Sequence, residues 1–381
     1  MLDRRQILIG GGLLGAATFA PQLAFARTAS ARRLVYIIQR GAADGLATLA
    51  PTGDPAFTGL RGDLADYSGG ARLDSLFTLH PALAQVAQLY AGKQALFAHA
   101  VASPYRDRSH FDGQNVLETG GLRPYERKDG WINRLLGLLS GSPVRALALA
   151  PTVPTALRGS VEVSSYAPSA LPDTSEDLRQ RVSDLYQSDA QLHGLWEQAQ
   201  ATRAMVGAEA LTGGRGGAAA GRLIASLMAG ANGAGVVMVE TNGWDTHSGQ
   251  KARMSAQLGG LDALVGALRD GLGPMWNDTL VIVATEFGRT AAINGTGGTD
   301  HGTASLAMLL GGAIAGGRTI ADWPGISSAQ LYEGRDLRPT LSMETLVGSA
   351  VAAHFGLDPA DAIPRLFAEA AGKPLAGLIR S

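Results

Sequence analysis

Arg33-Leu34-Val35-Tyr36-Ile37-Ile38-Gln39-Arg40-Gly41-Ala42-Ala43-Asp44-Gly45 is the stretch that decides the architecture. Its first seven residues form an apolar, β-branched run with no polar alternation. Such a run predicts a strand buried on both faces. It stops at a glycine-bounded turn that carries a carboxylate. The same unit returns three times. Residues 95–101 lead into Ser103-Pro104-Tyr105-Arg106-Asp107-Arg108-Ser109-His110. Residues 236–240 lead into Asn242-Gly243-Trp244-Asp245-Thr246-His247. Residues 279–285 lead into Glu286-Phe287-Gly288-Arg289-Thr290, then Gly297-Gly298-Thr299-Asp300-His301-Gly302. Each connection carries a carboxylate, and all but the first carry a histidine.

Helical patterns separate these runs at 80–90, 109–119, 131–139, 218–229, 250–271 and 342–355, with further strands at 144–149 and 304–310. Short apolar strands alternating with amphipathic helices predict an α/β fold. The expected form is a doubly wound, mostly parallel sheet sandwiched by helices. Residues 151–175 read as a loop or small excursion, 175–205 as the most polar helical stretch and 213–217 as a link. Together, about 152–217 is expected as a helical insertion on a single domain spanning 27–381. In such sheets ligands bind beyond the carboxyl ends of the strands, which is where the polar residues collect.

Composition narrows the function. The 381 residues carry 32 Lys and Arg against 33 Asp and Glu, a net charge of −1. A nucleic-acid binder would show a basic surplus, so no nucleic-acid partner is expected. The chain has no Cys, which excludes disulfides, iron–sulfur centres and thiolate nucleophiles. Carboxylate and imidazole remain as metal ligands. The 51 glycines are partly explained by the loops after the strands, at 41, 45, 243, 288, 297, 298 and 302, where backbone must turn tightly.

The chain opens Met1-Leu2-Asp3-Arg4-Arg5-Gln6-Ile7-Leu8-Ile9, followed by an apolar Gly/Ala-rich run and Ala24-Phe25-Ala26. This has the form of a twin-arginine signal peptide over residues 1–26, cleaved after Ala26. The expectation is a periplasmic or secreted protein handled by the twin-arginine translocase. A retained anchor is the alternative, though the run falls short of the ~20 residues that span a bilayer.

Carboxylates with imidazoles suit a divalent metal. Asp245 and His247, two apart in an extended segment, share one side. Of the adjacent Asp300 and His301, one is expected to ligate and the other to orient. Asp44 and Glu286 are candidate ligands as well. Asp44 could equally be a turn former and Glu286 a buried partner of Arg289. Ser109 is the candidate nucleophile at a helix N-terminus, where backbone N–H groups favour an anion; the alternative is a plain N-cap. His110 and Arg106 complete the catalytic candidates, Arg106 and Arg108 as clamps on phosphate or sulfate or, alternatively, as loop salt-bridge partners. His80, His99, His193 and His354 read as packing or surface residues.

These motifs, from Arg40-Gly41-Ala42-Ala43-Asp44-Gly45-Leu46 to Gly298-Thr299-Asp300-His301-Gly302, resemble the exported bacterial family known as domain of unknown function 1501. The resemblance covers about residues 33–365. It implies an alkaline-phosphatase/sulfatase-like fold and a metal-dependent hydrolase of phosphate or sulfate esters. It implies two divalent metals at Asp44, Asp245, His247, Glu286 and His301, to which the residue reading adds Asp300; Zn, Mn, Mg or Ca are the candidate ions, with only one ion as an alternative. Ser109 matches the nucleophile position.

The sequence departs from that pattern. Phe287 stands where a second metal's His would be, and Asp245 to His247 is shorter than the usual Asp-x-x-x-His. The competing expectation is therefore a non-catalytic binding or assembly protein on the same fold, with a protein partner. On the first reading the partner is a small anionic ester.

Overall fold

In the computed structural model, the structure describes residues 32–139, 144–167, 176–187, 189, 192–194, 196–197, 216–230, 233–368 and 372–380. The expected leader at 1–26 lies outside them. Among the described residues the strands are β1 (Arg33–Gln39), β2 (Leu49–Ala50), β3 (Ala71–Arg72), β4 (Thr78–Leu79), β5 (Ala95–Ala102), β6 (Ala146–Leu149), β7 (Ser164–Tyr166), β8 (Val236–Thr241), β9 (Thr279–Ala284), β10 (Ser305–Leu310), β11 (Arg318–Ile320) and β12 (Leu341–Ser342). Nine form one sheet in the order β11-β5-β10-β9-β1-β8-β6-β7, with β12 beside β5. The short β2-β4-β3 sheet is separate.

The large sheet is mixed and mostly parallel, flanked by helices on both faces. The opening run supplies its centre: β1 pairs in parallel with β8 on one side and β9 on the other. Side chains alternate across a strand, and β1 shows the consequence. Val35 and Ile37 join a core with the helices Ala84–Ala91, Gly217–Met228 and Gln250–Leu272. Leu34, Tyr36 and Ile38 join the opposite core with Trp131–Leu138, Met343–Phe355 and Pro359–Leu366. Each such aliphatic side chain contributes roughly 1.5–3 kcal/mol by leaving water, which is why an unbroken apolar run is stable only between two helical layers.

One strand departs from the parallel pattern, and this positions the site. β10 runs antiparallel to both β5 and β9. The chain leaves the carboxyl end of β9, crosses that edge through residues 285–304, and re-enters the sheet at the same edge. Glu286 and His301 therefore reach one edge from opposite ends of a single loop.

Several segments differ from the sequence expectations. The helix expected at 80–90 is Ala84–Ala91. His80 Nδ1 accepts from the Ala82 N–H, and the Leu83 N–H donates to the His80 carbonyl, so a turn precedes the helix. The 151–175 segment contributes β7, which pairs in parallel with β6 as the outermost strand. Of the 175–205 stretch, Glu176–Tyr186 is a helix, while residues 168–175 and 198–215 lie outside the described residues. No helix among the described residues is long and apolar enough to cross a membrane.

Candidate metal centre

Three loops bring donors to the shared edge. The loop after β5 ends at His110, the first residue of the helix His110–Thr119. The loop after β8 brings Asp245 and His247, and the β9–β10 loop brings Glu286, Asp300 and His301. Close loop packing depends on glycine at two points. Gly41 has φ +117°, and a Cβ there would sit 2.5 Å from the Asp245 backbone nitrogen. A Cβ on Gly298 would lie 2.3 Å from the His247 carbonyl carbon.

Each of three histidines spends Nδ1 on an acceptor. His110 Nδ1 is 2.8 Å from Glu286 Oε1, His247 Nδ1 is 2.8 Å from Asp300 Oδ1, and His301 Nδ1 is 3.0 Å from the Arg108 carbonyl. An acceptor requires the proton on Nδ1, so each neutral ring carries its lone pair on Nε2. Those lone pairs converge. His247 Nε2 lies 3.0 Å from His301 Nε2 and 3.0 Å from Asp245 Oδ1. His301 Nε2 lies 3.3 Å from Asp245 Oδ1, and His110 Nε2 3.5 Å from Asp245 Oδ2. Donor atoms of His110, Asp245 and His301 all fall within 4.8 Å of one another.

The Arg108 carbonyl is held deliberately. Arg108 has φ +61°, a backbone that costs roughly 1–2 kcal/mol in a residue with a Cβ. Its guanidinium is fixed by Asp336 at 2.7 Å and Glu333 at 2.5 Å, which offsets that strain and aims the carbonyl at His301.

Electrostatics match a cation. Burial alone would raise Glu286, but the His110 ring and the Gly41 N–H hold its carboxyl below the usual range. The same Glu286 contact raises His110, against the opposing effect of burial. Burial and the charges of His110 and Arg289 push His301 down. Asp245, which burial would raise, is lowered by buried Arg289, 2.6 Å away. Glu286, Asp300 and Asp245 against Arg289 leave a formal −2 when the rings are neutral. The His110 Nε2 atom is buried and has no hydrogen-bond partner. A buried, unpartnered donor atom beside a carboxylate and the His301 imidazole fits a divalent ion. Ligand atoms ~2.0–2.1 Å from zinc would stand about 3 Å or slightly more from each other.

The residues expected at the site divide into two groups. Asp245, His301 and His110 converge directly and His247 adjoins them through Asp245 and His301, His110 as a donor to the cluster where sequence had placed it among catalytic groups. Glu286 and Asp300 reach the cluster through His110 and His247. Asp300 thus orients His247, not its sequence neighbour. Glu286 does not pair with Arg289, which grips Asp245.

The structure does not bring Asp44 to the cluster. Its carboxylate is clamped by Arg61 at 2.6 and 2.9 Å, accepts from Gln250 Nε2 at 2.6 Å, and caps the Gly45–Thr48 helix through the Ala47 N–H. With both oxygens occupied and 1% exposure, Asp44 has no donor left for a metal. Arg106 is turned onto its own loop, donating to the Ser103 and Tyr105 carbonyls. It lines a separate cavity with Ser342 and Glu344. Arg108 is committed to Asp336 and Glu333. Ser109 is the N-cap residue, but its hydroxyl makes no cap bond, and its N–H donates to the Tyr105 hydroxyl. Phe287 stacks on His110 with ring centroids 5.1 Å apart and lies 5.4 Å from His301. Where a second metal's histidine was expected to be missing, the ring packs as an apolar wall.

Sequence reading missed Arg61, Gln250 and the Arg108 carbonyl. The first two lie outside the strand-end motifs, and a carbonyl has no side-chain signature.

A family model described as protein of unknown function (DUF1501) matches residues 93–367. No curated protein matches the chain. Among solved structures, the chain is similar to the C-terminal periplasmic domain of EcEptC from Escherichia coli in complex with Zn, at TM-score 0.42 and 9% identity over 91% of this chain and 92% of that one. It is also similar to Ps i-CgsB in complex with k-i-k-neocarrahexaose, at TM-score 0.42 and 11% identity over 86% and 72%. A protein in the alkaline phosphatase superfamily from Vibrio parahaemolyticus gives TM-score 0.37 and 12% identity over 91% and 71%.

Proposed function

We propose, for a chain that belongs to the DUF1501 family of proteins of unknown function, a hydrolase of phosphate or sulfate esters built on one divalent ion. The carrying observation is the convergence of three imidazole Nε2 lone pairs and Asp245, with His110 Nε2 buried and otherwise unpartnered. His110, Asp245, His247 and His301 would hold the ion. When bound, it would polarise an ester oxygen and supply positive charge to the anion.

The chain's own residues do the rest. Glu286, Asp300 and the Arg108 carbonyl fix the three rings. Arg289 holds Asp245 at the centre. Phe287 excludes water behind His110. Ser109, immediately before His110 and with its hydroxyl free of the helix cap, is the proposed nucleophile. A single ion is favoured because Arg61 neutralises Asp44 and Phe287 replaces an imidazole. The leader at 1–26 would deliver the protein by twin-arginine export, without requiring a membrane-spanning helix in the described residues.

The experiment is metal analysis of purified mature protein together with hydrolysis of a panel of phosphate and sulfate esters. About one ion per chain, turnover lost on chelation and turnover lost in Ser109→Ala are expected. An absence of both metal and turnover would reject the proposal.

The apolar Phe287 wall also favours a second reading, a binding protein that holds the ion without turning over an ester. Bound metal with no hydrolysis across the panel, and a protein captured stably from periplasmic extract, would select it.

A further inference from the structure

Behind the donor set lies a fully buried polar chain that the proposed chemistry does not use. Arg61 and Asp44 are each 1% exposed and doubly bonded. Asp44 Oδ2 accepts from Gln250 Nε2 at 2.6 Å. Gln250, 0% exposed, turns its other amide end the opposite way. Its Oε1 accepts from Thr246 Oγ1 at 3.0 Å and from Thr299 Oγ1 at 2.6 Å. The amide orientation is forced, because a carboxylate needs a donor and two hydroxyls offering protons need an acceptor.

The two threonines are the significant ends. Thr246 lies between Asp245 and His247. Thr299 precedes Asp300 and His301. Their loops also touch directly, the Thr299 N–H donating to the Thr246 carbonyl at 3.2 Å. Arg289, which grips Asp245, also donates to the Thr299 hydroxyl and carbonyl. One glutamine side chain therefore ties together the two loops that carry three of the four proposed donors. It is anchored from behind by an ion pair that cannot move without leaving a buried charge unpaired.

We infer that Gln250 is a positioning residue for the metal centre, setting the approach of His247 to His301 through Thr246 and Thr299, with Arg61–Asp44 as its fixed mount. This inference rests on the metal reading above. It gives Asp44 a part in the site without making it a ligand.

The test titrates Zn²⁺ against a competing chromophoric chelator, using the full mature chain as wild type, Gln250→Ala, Thr299→Val and Thr299→Ser. Lys251→Ala, an exposed neighbour, serves as the control. Metal-free melting temperatures are recorded in parallel. Gln250→Ala and Thr299→Val are expected to weaken Zn²⁺ binding on the order of tenfold or more, in the range for groups that orient ligands. Thr299→Ser keeps the hydroxyl and should stay near wild type, as should Lys251→Ala. If Gln250→Ala does not fold, the Thr299 pair decides. Unchanged Zn²⁺ affinity in Gln250→Ala and Thr299→Val, alongside a lowered metal-free melting temperature, would overturn the inference and leave the metal reading standing. No Zn²⁺ binding by wild type would overturn both.

Discussion

His247 Nε2 and His301 Nε2 face each other at 3.0 Å, although each ring has already given its Nδ1 proton to an acceptor. Two lone pairs at that separation repel unless a proton or a metal ion lies between them. Removing either ring should therefore do more than delete a donor. Zn²⁺ affinity in His247→Ala and in His301→Ala should fall at least 100-fold, read by chelator competition. His193→Ala, at a histidine remote from the cluster in sequence, should leave it unchanged.

Glu286 offers a separate handle, because it touches the cluster only through His110. Glu286→Gln preserves size but removes the charge that raises His110. The His110 pKa measured by NMR in metal-free protein should drop below its wild-type value. Zn²⁺ affinity should weaken roughly 10–100-fold. In metal-free wild type, a raised His110 stabilises the fold fully at pH below its unfolded pKa, and this is lost as pH rises through the folded value. That component of the melting profile should shrink in Glu286→Gln.

The Arg61–Asp44 pair predicts a stability effect. Arg61→Met leaves a carboxylate buried with its main partner gone. Denaturant unfolding should show a loss of about 3–5 kcal/mol, much larger than for an exposed ion pair such as Lys251–Asp66.

Glu344 predicts a pH effect away from the metal. It is 4% exposed, and burial pushes its carboxyl from 4.5 up to about 7. A raised acid holds its proton in the folded state, so its stability contribution is complete below pH 4.5 and is lost as pH rises through about 7. The loss is roughly 3 kcal/mol by pH 8. Melting temperatures at pH 5 and pH 8 should therefore converge in Glu344→Gln compared with wild type.

The sheet was legible because its strands are buried on both faces. Residues 33–39 and 279–284 have no polar side to confuse the period, so composition alone marks them as parallel-type strands. The loops were legible because chemistry concentrates after such strands. Asp245-Thr246-His247 and Asp300-His301 could be singled out without coordinates. Which carboxylate serves which ring could not. Asp300 pairs with a histidine 53 residues away, a distance set by the antiparallel return of β10. Asp44 looked like a ligand because it follows the first strand. Its partner Arg61 ends a five-residue helix, Phe57–Arg61, too short to give a periodic signal, and only packing shows that the charge is already neutralised. Arg106 was expected at an anion, but its loop turns it away.

The central claim is that His110, Asp245, His247 and His301 form one binding site for one divalent ion. Zn²⁺ titration of metal-free mature protein tests it most directly. The account predicts saturation at about one ion per chain, with that binding abolished in His301→Ala. No binding by the wild type, or equal binding by His301→Ala, would contradict it.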